Sequence, residues 1–530
     1  MTKRSILFIL VNTSLLLAFC RPEPQSLSVE TPPKLSDRQL FDKVQEAAFR
    51  YFWDFGHPVS GLVPERTKTP EVVTSGGSGF GISAIVVATE RGWIKRDEAV
   101  ARLLTMAKFL EKADRFHGAW SHWLDGKTGK AIPFSQKDNG GDLVETSYLV
   151  NGLLIAQQYF TQNNPAETEL RDRIQKLWET VEWDWYVHDG LLHWHWSPNY
   201  EWAMNMPIRG YNECLITYVL AVASPTHGIN PDVYQKTWKN SPNYLNGKAY
   251  LGYTLPLGFP YGGPLFFTHY SYLGLDPRQV QDNVTNYWNL NVKHTLINRA
   301  YCVYEAPKDH QYSAENWGLT ASDDFNFYGA HQPTEDNSTI SPTAALSAFP
   351  YTPYYSMQAM RFFYNELGDR LWKEYGFTDA FSLKKNWFSP QYLAIDQGPI
   401  VIMMENYRTG LCWDLFMKLP VVKTALSKMR LDQVNYPTGF HLAIPNVKTG
   451  QYDVLKHPHL DQYPIHVYLN QAGPVNLDLL KPDGTVAKRI VSGKSMPAGA
   501  QRLTFDAPAG QYQLRLKAPD QTTTLAVTLH

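Results

Sequence analysis

Asp138-Asn139-Gly140-Gly141-Asp142-Leu143-Val144-Glu145-Thr146-Ser147 is the stretch on which the reading of this chain turns. It holds carboxylates at 138, 142 and 145, with a Gly-Gly pair between the first two. Leu143, Val144, Tyr148, Leu149 and Leu153 then recur at helical spacing, so a tight loop opens directly into a helix. Asp142 with Glu145 three residues on is the pattern of an N-cap and capping box, each side chain satisfying an orphan backbone N–H. A loop fixed by a helix start is also where proton-transfer chemistry, such as glycosidic hydrolysis, needs its carboxylates. Both readings stand at this point.

Outward from that stretch the chain repeats one theme. Helical spacing runs through Leu40, Phe41, Val44, Ala47, Ala48, Tyr51 and Phe52, and Gly56-His57-Pro58 ends the element. Residues 74–81 (TSGGSGFG) lack the Lys-Ser/Thr of a phosphate loop and miss the dinucleotide spacing, so close packing at a helix start is the better reading. Residues 97–113, 142–160, 165–181, 276–304, 344–367 and 394–415 read as further helices. Between 183 and 196 the period falls to two around Asp189-Gly190, which predicts a hairpin with an aromatic face that includes Trp194 and Trp196. His193 and His195 share a strand face, but no third ligand is spaced nearby, and neither a metal nor a cofactor is expected.

Helices alternating with loops over residues 36–430, with no βαβ signal, predict a mainly α fold, a toroid of paired helices whose site lies where inner-helix ends meet long loops. Within it, residues 209–222 read as a helix in which Glu213 is the one acid among apolar neighbours. Such a carboxyl tends to a raised pKa, as a general acid requires; alternatively Glu213 pairs with Arg209 one turn back. The long polar loop 305–343 is of the kind that shapes a site. Beyond about residue 430, short alternating runs at 440–444, 452–455, 465–469, 475–480, 487–491, 501–505, 511–516 and 523–529 predict a small β-sandwich over 431–530.

The chain has 530 residues and a formal net charge of -1, with no basic stripe, so nucleic acid is not an expected partner. It carries 16 Trp and 31 Tyr, more than a core alone usually needs, and aromatic faces in a cleft stack on sugar rings. Lys3 and Arg4 followed by an apolar run ending Leu17-Ala18-Phe19-Cys20 read as an export signal over 1–20, with lipidation at Cys20 and a Pro-rich linker over 21–35. That implies a periplasmic or outer-membrane lipoprotein. Cys214, Cys302 and Cys412 are odd in number and widely spaced, which predicts buried small hydrophobes rather than disulfides.

Six segments, in order, resemble glycoside hydrolase family 144, the bacterial β-1,2-glucanases within the broader "glycoamylase" domain family. They are SGGSGFGIS at 75–83, DNGGDLVETS at 138–147, RGYNEC at 209–214, NWGLTAS at 316–322, TISPTA at 339–344 and IDQGPIVIMMENYRTGLCW at 395–413. The resemblance covers roughly 36–425 and leaves the C-terminal β region outside it. It implies an (α/α)6 barrel acting on β-1,2-linked glucan, with an inverting mechanism, either cutting internally or releasing sophorose from a chain end. It carries functional carboxylates onto Asp138, Asp142 and Glu213, with Asp396 as a further candidate. Of these, Glu213 is read as the acid, Asp142 or Asp138 as base or substrate-binding, and Asp396 as a proton relay. Trp194, Trp196, Tyr211, Tyr261, Trp317 and Trp413 are candidate sugar platforms, and Arg209, Glu405 and Arg408 candidate polar contacts. A monomer is expected. A tethered, non-catalytic glycan-binding protein fits the aromatic richness equally well, and an α/α-barrel polysaccharide lyase is a third reading. The first has no need of a buried isolated Glu, and the second would need a cluster to neutralise a uronate.

Overall fold

The computed structural model describes residues 35–530; the export-signal and lipidation readings, with nearly all of the linker, lie outside them. The helices are α1 (Asp37–Asp54), α2 (Ser75–Arg91), α3 (Arg96–Leu110), α4 (Leu143–Tyr159), α5 (Pro165–Glu179), α6 (Leu215–Ala223), α7 (Tyr287–Tyr304), α8 (Pro342–Leu346), α9 (Pro353–Asn365), α10 (Gly368–Leu371), α11 (Ala394–Arg408), α12 (Leu411–Met417) and α13 (Pro420–Lys428). Among the described residues no helix is long and apolar enough to cross a membrane.

Two kinds of helix are visible. In α1 and α5 only one stripe is buried, as in Leu170, Ile174, Leu177 and Trp178. In α2 every residue from Ser75 to Ala88 is buried, and in α4 every residue from Leu143 to Ala156. A helix apolar on all sides belongs inside a helical assembly. Accordingly α11, α2, α4 and α6 pack side by side, α1 lies on α2 and α11, and α3 pairs with α5. The mainly helical reading holds for this part of the chain.

The glycines of α2 explain how a Gly-rich run becomes a helix rather than a loop. A Cβ on Gly79 would stand 2.2 Å from the carbonyl oxygen of Tyr148, and one on Gly152 of α4 would stand 2.1 Å from the carbonyl oxygen of Gly79. The two helix backbones touch there, and the close contact replaces what glycine costs in helix propensity. Gly79→Ala is therefore expected to destabilise the fold by about 3 kcal/mol, at the upper end for overpacking. Gly368→Ala, where nothing lies within 4 Å, should change little. Urea unfolding of the two variants checks this.

Several predicted helices are shorter or broken. The 209–222 helix begins only at Leu215, because Asn212 accepts the Cys214 N–H in a turn before it. The 276–304 helix begins at Tyr287, capped by Asn286, after a 3-10 turn at Pro277–Gln279. The 344–367 helix divides into α8 and α9 where Pro353 starts a new first turn. The 394–415 helix divides at Gly410, which is left-handed with φ 82°.

Strands take over from Tyr452. A five-stranded sheet runs in the order Tyr452–Val454, Thr522–Leu529, Gly510–Lys517, Gly473–Leu480, Val486–Met496, antiparallel except for its first pair. A second sheet pairs Tyr463–Leu469 with Gly499–Phe505. Both sheets feed one apolar core, with Ile465, Val467 and Phe505 from one and Leu477, Leu514 and Val527 from the other. Residues 440–444 are not a strand; the chain turns there, with Leu442 at φ 68°. This region rests on α1, α9 and α11. The Tyr355 hydroxyl donates to Asp453, His459 Nε2 meets Asp42 Oδ1 at 2.7 Å, and the Tyr407 and His457 rings lie 5.0 Å apart. Cys214, Cys302 and Cys412 are buried free thiols.

Candidate active site

The loop before α4 is held by a two-residue strand pair, Gly141–Asp142 against His195–Trp196. The hairpin that the Asp189-Gly190 signal predicts is formed by Val187–His188 and Leu191–Leu192, and the chain after it supplies the partner strand. Asp142 is fully buried. Its Oδ1 accepts the Glu145 N–H at 2.9 Å, so it is the N-cap of α4. Its Oδ2 is 3.3 Å from His122 Nδ1 and accepts Trp194 Nε1–H at 3.2 Å. Capping and chemistry thus use different oxygens of one carboxylate.

Glu145 does not close the capping box. Its Oε2 instead accepts the Gly76 N–H at 3.1 Å, at the start of α2. A Cβ on Gly76 would lie 2.2 Å from that oxygen, so this helix start is shaped to receive the carboxylate. Burial, with the neighbouring Asp142 and Asp138 charges, drives the Glu145 pKa up against the opposing pull of His122. For His122, burial disfavours the charged form, but Glu145, Asp142 and Asp138 outweigh it and push its pKa up to about 9. At neutral pH it is an imidazolium donating to Asp142, with its ring stacked on Phe134 at 4.3 Å. Asp138 completes the group, its Oδ1 lying 3.0 Å from His195 Nε2.

Glu213 sits in the turn before α6, not on the helix. The Ser271 hydroxyl and the Tyr148 hydroxyl donate to its backbone carbonyl, the latter at 3.4 Å. Its Oε2 is buried and has no partner in the protein. Burial first, then the charges of Glu145 and Asp142, push its pKa up to about 7. No ion pair joins it to Arg209, which is exposed.

Asp396, in the first turn of α11, belongs to a second acidic group with Asp379 and Asp323. Asp379 Oδ2 accepts the Asp323 N–H at 2.7 Å, and Arg66 Nη1 donates to Asp323 Oδ1 at 2.7 Å. Burial, then the charge of Asp323, pushes the Asp379 pKa up to about 7, and burial, then the charge of Asp379, raises that of Asp396, so this pair holds a proton. Tyr270 feels both groups. Its phenol is buried without a partner, and Asp396, Glu145 and Glu213 all raise its pKa behind the larger effect of burial. Its ring packs on Phe80 and Tyr148 at 5.2 and 5.7 Å.

The structure therefore brings Asp138, Asp142, Glu213 and Trp194 into one neighbourhood, and Tyr270 links it to the group that holds Asp396. Trp196, half-buried, stands edge-on to His117 at 4.9 Å, and Tyr261 is half-buried with its hydroxyl on Glu305 at 3.0 Å. Five expected contacts are core instead. Tyr211 is buried, hydrogen-bonded to Tyr272 and Asn291. Trp317 is fully buried, and Trp413 donates to the Tyr272 carbonyl at 2.7 Å beneath Arg278. Glu405 and Arg408 lie near the C-terminal end of α11, about 13 and about 18 Å along the helix from Asp396. There Glu405 meets Arg91, Gln45 and Thr409, and Arg408 meets Asp42 and Gln45. His122, Tyr270 and Asp379 were not found from the sequence, and Glu145 was found only as a cap. The ligand atoms of His122, Asp138 and Asp142 lie within 4.8 Å of one another, a set that could hold a metal ion, but the proton on His122 competes for that position.

Known proteins add the following. A family model described as "Putative glucoamylase" matches residues 205–420. An exo β-1,2-glucooligosaccharide sophorohydrolase (non-reducing end) of Parabacteroides distasonis is 46% identical over 432 residues, a match spanning 77% of this chain and 60% of that protein. The endo-β-1,2-glucanase of Chitinophaga pinensis, solved with sophorotriose and glucose, is 52% identical with a TM-score of 0.73, covering 75% of this chain and 99% of that one. An endo-β-1,2-glucanase of Talaromyces funiculosus shares the fold alone, at 10% identity and a TM-score of 0.53, over 75% of this chain and 91% of that one.

Proposed function

Because the chain belongs to glycoside hydrolase family 144, the bacterial β-1,2-glucanase family, we propose that it hydrolyses the β-1,2 linkages of glucan, with the helical part forming an (α/α)6 barrel around the site and residues 431–530 an accessory β-sandwich. It would act as a monomer, exported and tethered through lipidated Cys20. The observation that carries the catalytic reading is the buried, unpartnered Oε2 of Glu213 beside a carboxylate held by an imidazolium.

In this mechanism Glu213, protonated, gives its proton to the leaving glycosidic oxygen. Asp142, held in place by His122 and Trp194, takes a proton from the attacking water, which adds to the anomeric carbon from the opposite face. Glu145 and Asp138 bias this charge balance through His122, and Asp379 and Asp396 hold a further proton that Tyr270 feels. Inversion at a β linkage releases the α-anomer first. Proton NMR of a fresh digest of linear β-1,2-glucan tests this: α-anomer first supports the reading, β-anomer first contradicts inversion, and no new anomeric signal overturns hydrolysis.

A pH prediction follows from Glu213. The acid must be protonated, and its pKa is about 7, so kcat/KM should fall tenfold per pH unit above about 7 as the proton is lost. A pH–rate profile flat from 7 to 9 would contradict it.

A further inference from the structure

The C-terminal strands enclose, with the ends of α9 and α11, a cavity of about 90 Å³ that no step above uses. That is room for several water molecules, enough for one oxyanion group. It opens past Arg278, Leu442, His466 and Arg502, which also line a larger surface cleft of about 670 Å³. Two buried polar atoms in its wall have no partner in the protein: Tyr407 Oη and His457 Nε2. His457 is 1% exposed. Its Nδ1 accepts the backbone N–H groups of His459 and Leu460, each at 3.3 Å, so the ring proton sits on Nε2. A buried N–H donor left without an acceptor is costly and calls for an occupant.

The charges agree in sign. Arg502 has no ion-pair partner among the described residues. Burial, then Arg502, His459 and Arg408, holds the His457 pKa down to about 4 against a smaller pull from the Tyr407 backbone carbonyl, which stands nearby but too poorly placed to hydrogen-bond Nε2. Burial, then His441, Arg278 and Arg502, holds His466 down to about 3. Nearby acids are already engaged: Asp276 grips Arg278 at 2.8 and 2.9 Å, and Asp453 takes Tyr355 and His530. Asp432 borders only the larger cleft.

We propose that this junction cavity binds a phosphate or carboxylate group, with the Arg502 guanidinium as its charged partner and His457 Nε2 and Tyr407 Oη as neutral donors. Guanidinium and neutral N–H donors together suit an oxyanion. The wider cleft outside leaves room for a molecule carrying that group.

Isothermal titration of the full chain with inorganic phosphate, glucose 6-phosphate and glucuronate, with glucose as the neutral control, tests the proposal. Saturable binding of at least one anion is expected, weakened about tenfold or more in both Arg502→Gln and His457→Phe, with no binding of glucose. Tighter binding of glucose 6-phosphate or glucuronate than of phosphate would assign a sugar-borne group; equal binding would assign the free anion. No saturable anion binding by the unsubstituted chain, or equal affinity in Arg502→Gln, overturns the proposal. Both variants lie outside the catalytic group, so unchanged hydrolysis of β-1,2-glucan shows that they fold.

Discussion

Glu213→Gln lowers kcat on β-1,2-glucan by on the order of 10²–10⁴-fold, the usual worth of a positioned general acid. The change is nearly isosteric, and Oε2 has no protein partner to lose, so the thermal midpoint should hold or rise. Substrate binding should also survive, leaving KM close to its original value. The loss must therefore fall on kcat, which a merely structural role would not produce. Activity within a few-fold of the unsubstituted protein would remove Glu213 from the chemistry.

Asp142→Asn is the second large effect, and it separates two roles of one residue. Asparagine caps helices as well as aspartate does, so the bond from the Glu145 N–H to Oδ1 is kept and α4 should lose little stability. The negative charge facing His122 and Trp194 is lost, and with it the base. A fall in kcat on the order of 10²–10⁴-fold is expected. His122 should also titrate at lower pH, since one of the carboxylates holding it at about 9 is gone. Histidine NMR and steady-state kinetics on the same sample read both effects. Near-normal turnover would leave Asp142 only as a cap.

The residues that were legible in the sequence share one property: their local context already departs from an ordinary helix or strand. Asp142 follows a Gly-Gly pair and opens a helix, and Glu213 is a lone acid beside an apolar run. The hairpin announced itself through Asp189-Gly190, and the C-terminal strands through alternation, as in Tyr463, Ile465, Val467 and Leu469 all facing inward. His122 has no such context, because its partner carboxylates arrive from residues 138–145 only once the strand pair with His195–Trp196 forms. Asp379 is equally silent; it meets Asp323 across 56 residues of chain. The aromatic platforms erred in the other direction. An assembly whose inner helices are buried on every side needs large side chains between them, and Trp317, Trp413 and Tyr211 serve that need. Glu405 and Arg408 sit on the same helix as Asp396, and sequence proximity hid the helix rise that carries them to its other end.

The most direct test of the central claim is product analysis of the purified protein incubated with linear β-1,2-glucan beside β-1,3-, β-1,4- and α-1,4-glucans. Products from the β-1,2 chain alone are predicted, a ladder marking internal cleavage and sophorose alone marking release from an end. No product from the β-1,2 chain, or release from the α-1,4 chain instead, would contradict the account.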